Sequence, residues 1–373
     1  MIYLDSAATS LYKPETVQTA VAEALSTMAS PGRGAHRPAM RAADCCFQCR
    51  MALAELFHAA EPEQVVLTFN ATHGLNIAIR SLVRPGSRVL ISGYEHNAVT
   101  RPLHAIGAQV RTVSTPLFDP AAFLREAERQ LDWAEVVICT HVSNVFGYIL
   151  PVEALAEHCR QRGIPLIIDA SQSAGVLPLD AQALGAAFIA MPGHKGLMGP
   201  QGTGVLLCQN DAIPLLYGGS GSDSAAKTMP DYLPDRLEAG THNVAGIAGL
   251  LASCRYVLET GCDALRMRER ALLEAMAALL KPLPGLRLYL SENAAVQCSV
   301  LSVVPERMSC EAFGEALDAA GVAVRTGLHC APLAHRTAGT QDTGTLRFSF
   351  SPFNTMAQIE KTGEICKNIL KKS

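Results

Sequence analysis

The stretch MPGHKGLMGPQGTG, residues 191–204, places one lysine, Lys195, among glycines and prolines directly after an apolar run. A lysine amine is a weak nucleophile at its ordinary pKa, but burial beside other cations lowers that pKa and allows imine formation. A solvated loop lysine is the ordinary alternative for this residue taken alone. The apolar run before Lys195 and the small residues around it favour an imine with a cofactor.

Three other polar positions supply parts that such a cofactor needs. Asp169 closes the apolar run PLIIDAS and could pair with a pyridine nitrogen, although a turn or helix-capping aspartate is the alternative. His96 in GYEHN could stack on the ring and move protons, although a lone histidine is more often structural. The segment FNATHGLNIAIRSL predicts a helix start whose N–H groups, with the Thr72 hydroxyl, could bind a phosphate.

The elements that position these residues follow one pattern. Between residues 65 and 208, short β-rich apolar runs alternate with helical stretches, which is typical of a mostly parallel sheet covered by helices. The predicted strands are VVLTF (65–69), RVLIS (88–92), QVRTVS (109–114), EVVICTH (135–141), PLIIDAS (165–171), AAFIAM (186–191) and GTGVLLC (202–208). Polar clusters follow five of them, and ligands bind at the carboxyl ends of such strands. We therefore expect one site.

The remainder of the chain predicts a second, smaller α+β domain. This part has a long helical segment, residues 263–283, and short strands. We therefore place a large α/β domain at 14–249 and a small one at 250–373, and we assign residues 1–13 to the small domain. The Gly-, Ser- and Pro-rich segment 217–235 is predicted to be a long loop.

Composition excludes several classes of protein. With 49% hydrophobic and 17% charged residues and a net charge of -3, the chain is neither disordered nor a basic nucleic-acid binder. No secretion signal and no apolar run long enough to cross a membrane is seen. Twelve cysteines without such a signal indicate a reducing compartment, so we expect a cytoplasmic protein acting on a small molecule.

The motifs SNVFGYILPV, IDASQSAG, PGHKGLMGPQGTG, LEAGTHN and VAVRTGLHCAP, in this order, resemble those of the class V aminotransferase family. These are fold-type I pyridoxal-phosphate enzymes and include the cysteine desulfurases, and the resemblance covers nearly the whole chain. It implies that Lys195 forms the Schiff base, Asp169 pairs with the pyridine nitrogen and His96 stacks on the ring.

The same resemblance assigns further contacts to the cofactor, pyridoxal 5'-phosphate. Asn144 and Gln172 would contact the ring hydroxyl and nearby atoms. Thr72 and His194 would hold the phosphate, with Thr241 reaching across from the second subunit of a homodimer. Two departures remove hydroxyl groups that desulfurases often carry, since Pro192 and Ala71 stand in their places. We therefore expect backbone N–H groups, including that of Ala71, to contribute more of the phosphate binding.

The stretch RTGLHCAPLAH, residues 325–335, bears on the reaction. Cys330 lies between His329 and His335 and follows Arg325, and cationic neighbours favour the reactive thiolate. Taken alone, Cys330 is one of twelve cysteines; the resemblance places the persulfide-forming cysteine here. By the same resemblance Arg347, in TLRFSF, would bind a substrate carboxylate, and Arg33 is a second candidate near the substrate entrance.

These residues lead to the hypothesis of a cysteine desulfurase that converts L-cysteine to L-alanine. Lys195 would move the α-proton, Cys330 would attack the substrate sulfur and His96 would act as acid or base. The short cysteine loop resembles the branch that needs a sulfur-acceptor protein and that includes selenocysteine lyases, so L-selenocysteine remains an alternative substrate. An aminotransferase or epimerase would need no thiol, and a silent scaffold would lack Lys195 or Asp169.

A cluster of three cysteines, Cys45, Cys46 and Cys49, has spacing that a metal site could use. No fourth ligand follows at a recognisable distance, so the cluster favours semi-buried helix residues over a metal site.

Overall fold

The protein is described here by a computed structural model that covers residues 1–31 and 34–372. The helices are α1 (Glu15–Thr27), α2 (Arg37–Phe57), α3 (Ala71–Leu82), α4 (Asn97–Ile106), α5 (Pro120–Leu131), α6 (Val152–Gln161), α7 (Ala181–Leu184), α8 (Val244–Thr260), α9 (Cys262–Leu280), α10 (Cys310–Ala319), α11 (Pro332–Ala338) and α12 (Met356–Leu370). The strands are β1 (Ile2–Tyr3), β2 (Val65–Thr68), β3 (Arg88–Ser92), β4 (Gln109–Val113), β5 (Val136–Thr140), β6 (Leu166–Asp169), β7 (Phe188–Pro192), β8 (Gly204–Cys208), β9 (Leu286–Tyr289), β10 (Val300–Pro305), β11 (Val322–Ala323), β12 (Arg325–Gly327) and β13 (Thr345–Ser349).

The large sheet contains the seven predicted strands in the order β2-β8-β7-β6-β5-β3-β4. Their ends differ from the prediction by at most two residues, and β3 matches it at both ends. The central strands β5, β6 and β7 are buried along their whole length, as expected for parallel strands with both faces covered. Strand β8 is antiparallel to both of its neighbours, β2 and β7, while the other described pairs of this sheet are parallel. The predicted fold class, a mostly parallel seven-stranded α/β sheet with a smaller α+β part, is confirmed.

Strand direction explains why the polar clusters can meet. Strand β2 is antiparallel to β8, and β8 is antiparallel to β7, so β2 runs in the same direction as β7. Its carboxyl end therefore lies at the same edge of the sheet as those of β3, β5 and β6. The five polar turns that the sequence singles out all follow strands that end there.

A second, four-stranded antiparallel sheet, in the order β12-β13-β10-β9, carries the carboxyl-terminal part of the chain. Helices α9, α10 and α12 contribute to its hydrophobic core. Strand β1 joins this part by pairing in parallel with β11. The proposed domain division at residue 249 falls inside the continuous helix α8, and that division stays a prediction.

The segment between Cys208 and α8 contains no helix or strand, in agreement with the predicted long loop. Among the described residues, none of the helices combines the length and the hydropathy that crossing a bilayer requires.

Candidate functional site

The carboxyl edge of the large sheet encloses a cleft of about 500 Å³. Its walls come from the turns after five strands, which is the meeting point that the sequence predicts. The predicted site residues that line it are Ala71, Thr72, His96, Asn144, Asp169, Gln172, His194 and Lys195. The departure Pro192 also lies in this wall.

Lys195 lies in the turn after β7, where the chain has room for little bulk. A Cβ on Gly196 would lie 2.5 Å from the carbonyl oxygen of Ala174, and a Cβ on Gly193 would collide with the Thr203 hydroxyl. Burial lowers the pKa of the Lys195 amine to about 8, against the opposing charge of Asp169. A larger fraction of this amine is therefore neutral near pH 7 than in an ordinary lysine.

Asp169 and His96 lie at the ends of neighbouring elements. Asp169 is the last residue of β6 and is 2% exposed, and its Oδ1 accepts a hydrogen bond from the Ser171 N–H at 2.9 Å. His96 caps α4, where its Nδ1 accepts from the Ala98 N–H at 3.0 Å. Burial lowers the pKa of His96, with Asp169 opposing. The neutral ring carries its proton on Nε2 in this arrangement.

The N-terminus of α3 forms one wall of the cleft. Asn70 caps the helix by accepting from the His73 N–H at 2.9 Å. The N–H groups of Ala71 and Thr72 lie in the first turn, where a helix provides no backbone acceptor for them. Such a helix start attracts anions through these groups and through its dipole. The Ala71 side chain adds no hydroxyl, so backbone groups and Thr72 are the donors available on this wall.

His194 is held beside the cleft by the residues near the start of the chain. Its Nδ1 lies 3.0 Å from the Thr9 hydroxyl, and its carbonyl oxygen accepts from the Ser10 N–H at 2.9 Å. Burial, followed by the charges of Lys195 and Lys13, lowers the pKa of His194 to about 4. At neutral pH the ring can donate one hydrogen bond to an anion but adds no positive charge.

Arg347 reaches the cleft wall from the second sheet. This arginine is 1% exposed on β13 and donates to the Asn144 carbonyl oxygen at 2.9 Å and to Asp5 at 2.7 Å. Its Nε has no hydrogen-bond partner within the described part of the chain. The amide of Gln172 donates to the Ala7 carbonyl at 2.9 Å, so both predicted contacts are already oriented by the amino-terminal segment.

The loop that carries Cys330 is pinned to the cleft wall by two hydrogen bonds. The Asn97 N–H donates to the Cys330 carbonyl oxygen at 2.8 Å, and the Asn144 amide donates to the His329 carbonyl oxygen at 2.7 Å. Both His329 and Cys330 have positive φ angles, 48° and 56°, which turn the loop sharply. Cys330 is the exposed thiol among the twelve cysteines, and its backbone is bonded to Asn97, the residue that follows His96.

The two histidines that flank Cys330 do not supply the expected positive charge. Burial lowers the pKa of His329 to about 2 and that of His335 to about 4, so both rings are neutral. The prediction that they act as cations is wrong because the loop folds them into the interior, against Thr345 and Thr340. Spacing along the sequence does not distinguish an inward-facing from an outward-facing histidine.

Among the described residues, neither Thr241 nor the three clustered cysteines line the cleft. Thr241 is exposed and is not part of the cleft wall of its own chain, so its contact from a second subunit stays a prediction. Arg33 lies outside the described residues. Cys45, Cys46 and Cys49 are buried on α2, and the described part of the chain brings together no group of three or more metal-ligating side chains.

Sequence reasoning missed one buried acid beneath the site. Glu95 is fully buried and accepts from the Thr140 N–H at 2.7 Å and from the Ser92 hydroxyl at 2.5 Å. Its other oxygen has no hydrogen-bond partner among the described residues. Burial raises its pKa to about 8, so it holds a proton at neutral pH. The sequence signal that could have identified this acid is its place next to His96 in the segment GYEHN.

The sequence model of the family described as "Aminotransferase class-V" matches residues 2–362. The chain belongs to the class-V aminotransferase family. Members of this family generally depend on pyridoxal phosphate.

Within this class-V family the chain is similar to proteins named as cysteine desulfurases. It is 32% identical to a cysteine desulfurase from Synechococcus elongatus over 90% of this chain and 55% of that protein. It is 30% identical to a probable cysteine desulfurase from Methanothermobacter thermautotrophicus over 99% of this chain and 94% of that protein. The chain thus spans about half the length of some relatives and nearly all of others.

Solved structures give the same picture of this class-V chain. An apo cysteine desulfurase from Thermococcus onnurineus superposes with a TM-score of 0.91 at 29% identity, covering 100% of this chain and 95% of the other. A cysteine desulfurase from Escherichia coli superposes with a TM-score of 0.86 at 27% identity, covering 99% and 94%.

Proposed function

We propose that the protein is a pyridoxal-phosphate-dependent cysteine desulfurase. It converts L-cysteine to L-alanine and carries the sulfur on Cys330 as a persulfide. One observation supports this most strongly: the loop of the exposed Cys330 is hydrogen-bonded to the wall of the cleft that contains Lys195. An aminotransferase or an epimerase has no use for a thiol held there.

The residues of the cleft fit the cofactor in three respects. The α3 N-terminus offers unpaired N–H groups to a phosphate. Asp169 is a buried carboxylate in the same cleft, suited to a protonated ring nitrogen. Lys195 has an amine whose pKa is lowered to about 8, which favours imine formation. When bound, pyridoxal phosphate supplies an electron sink for negative charge at the substrate α-carbon.

The chain's own residues then position the substrate and move its protons. Arg347, already oriented by Asp5, would bind the substrate carboxylate through its guanidinium. The Lys195 amine would take the α-proton and return it, since a pKa of about 8 suits both directions near neutral pH. His96, with its proton on Nε2, would exchange a proton near the substrate sulfur.

The sulfur step needs no outside oxidant or reductant. The Cys330 thiolate attacks the substrate sulfur, and a sulfur–sulfur bond forms as the carbon–sulfur bond breaks. The electron pair of that broken bond stays with the substrate carbon, which takes a proton and becomes the methyl group of alanine. L-cysteine and one protein thiol thus give L-alanine and one protein persulfide. An acceptor protein in the cytoplasm would then take the sulfur from the exposed loop.

The same proposal includes a homodimer. Thr241 lies outside the cleft of its own chain, and it would complete the phosphate site of a second copy. Mixing a Lys195→Ala subunit with a Thr241→Ala subunit tests this contact. Each mixed dimer should then contain one intact site and bind about half of the cofactor that a wild-type dimer binds, whereas no recovery of cofactor binding in the mixture would argue against a shared site.

The first experiment mixes the purified protein with pyridoxal phosphate and L-cysteine, and measures alanine and sulfide. Alanine from the wild type and from Cys262→Ala, but from neither Cys330→Ala nor Lys195→Ala, is the expected result. Cys262 is the matched control because it is the other cysteine that is not fully buried.

L-selenocysteine is run in parallel. Turnover of selenocysteine by Cys330→Ala, with no turnover of cysteine, would instead indicate a selenocysteine lyase. If neither substrate gives alanine although the bound cofactor absorbs light and loses this absorbance in Lys195→Ala, the proposed reaction is refuted and an aminotransferase or epimerase becomes the better candidate.

A further inference from the structure

Arg325 is the cation that the structure places in contact with the Cys330 sulfur. Its Nη2 lies 3.6 Å from the Cys330 Sγ, within hydrogen-bonding distance for sulfur. Among the ion pairs of the described residues, none joins Arg325 to a carboxylate. A half-buried guanidinium without an acidic partner is available for an anion that is not part of the resting chain.

The register of the second sheet gives this arginine an unusual neighbour. Arg325 on β12 lies directly opposite Arg347 on β13 in an antiparallel pair, so both side chains leave the same face of the sheet. Like charges in directly opposite positions destabilise a sheet. Asp5 compensates Arg347 at 2.7 Å, whereas the partner that the structure offers to Arg325 is the sulfur of Cys330.

The rest of the loop contributes no competing positive charge at this sulfur. His329 and His335 are buried and neutral, as described above. Arg336, on the exposed side of α11, is directed to Gln341 at 3.4 Å. Arg325 is therefore the cation of this loop region that contacts the thiol, with Arg347 beside it on the sheet and Arg101 one turn along α4 from Asn97.

We propose that Arg325 is the anion-binding residue of the Cys330 sulfur. Its guanidinium holds the thiolate that attacks the substrate and then the negatively charged terminal sulfur of the persulfide. Arg347 and Arg325 thus divide the substrate between them, with the carboxylate at one guanidinium and the sulfur at the other. The persulfide part rests on the proposed function; the thiolate part does not.

The test compares two alkylating reagents of similar size and different charge. Iodoacetate is an anion and iodoacetamide is neutral, and both attack the same thiolate, so the ratio of their rates at Cys330 reports the local positive charge. Mass spectrometry of the Cys330 peptide measures both rates in the enzyme as purified. Cys330 suits this assay because it is exposed, while the other cysteines are buried or half-buried.

The ratio is the alkylation rate with iodoacetate divided by the rate with iodoacetamide. For Cys330 in the wild type we expect a larger ratio than for the small thiol 2-mercaptoethanol. The ratio should fall about fivefold in Arg325→Gln, because this variant loses the Coulomb attraction between the guanidinium and the iodoacetate carboxylate, two unit charges about 4 Å apart in water. It is kept in Arg325→Lys, which retains the charge, and in the control Arg336→Gln, which removes an arginine from the same surface. Raising the salt concentration should lower the wild-type ratio and bring it closer to that of Arg325→Gln, because salt screens the attraction between Arg325 and the anionic reagent.

The proposal is overturned if the wild-type ratio equals that of 2-mercaptoethanol at low salt, or if Arg325→Gln and Arg336→Gln give the same ratio. Should Arg325→Gln not fold, Arg325→Met and the salt series on the wild type decide the matter. If Arg325→Gln lowers the ratio but the wild-type protein forms no alanine, the anion site is supported and the desulfurase is refuted. If the wild-type protein forms alanine but Arg325→Gln leaves the ratio unchanged, the desulfurase is supported and the anion site is refuted.

Discussion

Glu238 is the centre of a buried ionic network that positions the loop before Thr241. Its carboxylate accepts two hydrogen bonds from Arg50, each of 2.6 Å, one from the Leu67 N–H at 2.7 Å, and lies 2.8 Å from the His242 ring. Glu238 and Arg50 are 5% and 8% exposed. The network ties α2, β2 and the long loop together.

Replacing Glu238 with Gln removes the negative charge and leaves the Arg50 guanidinium buried, with the Val65 carbonyl oxygen as its remaining strong acceptor. Breaking a buried pair in this way costs about 3–5 kcal/mol. We expect the lower end for Gln, because its amide oxygen can still accept one bond. Arg50→Met with Glu238→Leu removes both charges and should recover much of the loss, since no unpaired ion remains.

The pH dependence of this loss has a defined sign. Burial alone would raise the pKa of Glu238, but the charge of Arg50 and the bond to His242 hold it below its usual value. The network therefore contributes its full stability above the unfolded pKa of about 4.3, and loses it as the pH falls through the folded pKa. The difference between wild type and Glu238→Gln should accordingly be full at pH 7 and shrink in acid.

Urea unfolding followed by the fluorescence of Trp133, the single tryptophan, measures these free energies. Glu126→Gln is the control, because the Glu126–Arg129 pair lies on the surface and should contribute less than about 0.5 kcal/mol. A cost for Glu238→Gln below about 1 kcal/mol at pH 7 would refute the reasoning that both charges are desolvated and mutually dependent.

Three further predictions concern the cleft. In cofactor-free protein, acetylation of Lys195 should reach half its maximum near pH 8, and Asp169→Asn should lower this midpoint further because Asp169 opposes the effect of burial. A midpoint near the ordinary lysine value of about 10.4 would contradict the burial argument. Gly196→Ala should abolish the absorbance of the bound cofactor while the far-UV circular dichroism persists, because its Cβ displaces the lysine turn from Ala174. Asn70→Ala should reduce stability by about 1 kcal/mol in urea and weaken phosphate-dependent cofactor binding, whereas an unchanged affinity would exclude the α3 N-terminus from the phosphate site.

Much of the large sheet could be predicted because its signal is local. Apolar runs of β-branched residues mark the strands, and the polar turn after each strand marks the edge, so Asp169, His96 and Lys195 could be assigned to one cleft before any contact was known. The strand order could not be read in this way. The antiparallel placement of β8 between β2 and β7 depends on pairings that no single segment encodes.

The electrostatics of the site could not be predicted from sequence for a related reason. His329 and His335 follow the pattern of a cationic loop, yet their charge depends on which side of the loop faces the core. Arg347 was assigned by resemblance, while its partner Asp5 lies near the other end of the chain. The pKa of a group depends on neighbours in space, and here those neighbours are distant in sequence.

The amino-terminal segment shows how these distant parts become one site. Residues 5–10 bond to both sheets: Asp5 orients Arg347 on the second sheet, and the Ala7 carbonyl orients Gln172 beside the first. The N–H of Ser10 and the hydroxyl of Thr9 hold His194 from the opposite side. The charges of Arg347 and Arg325, carried by the second sheet, also help to lower the pKa of Lys195 on the first. Because the second sheet carries charges that act on Lys195, the reactivity of Lys195 depends on how this sheet is seated, and the amino-terminal segment, which bonds to both sheets, helps to fix this seating.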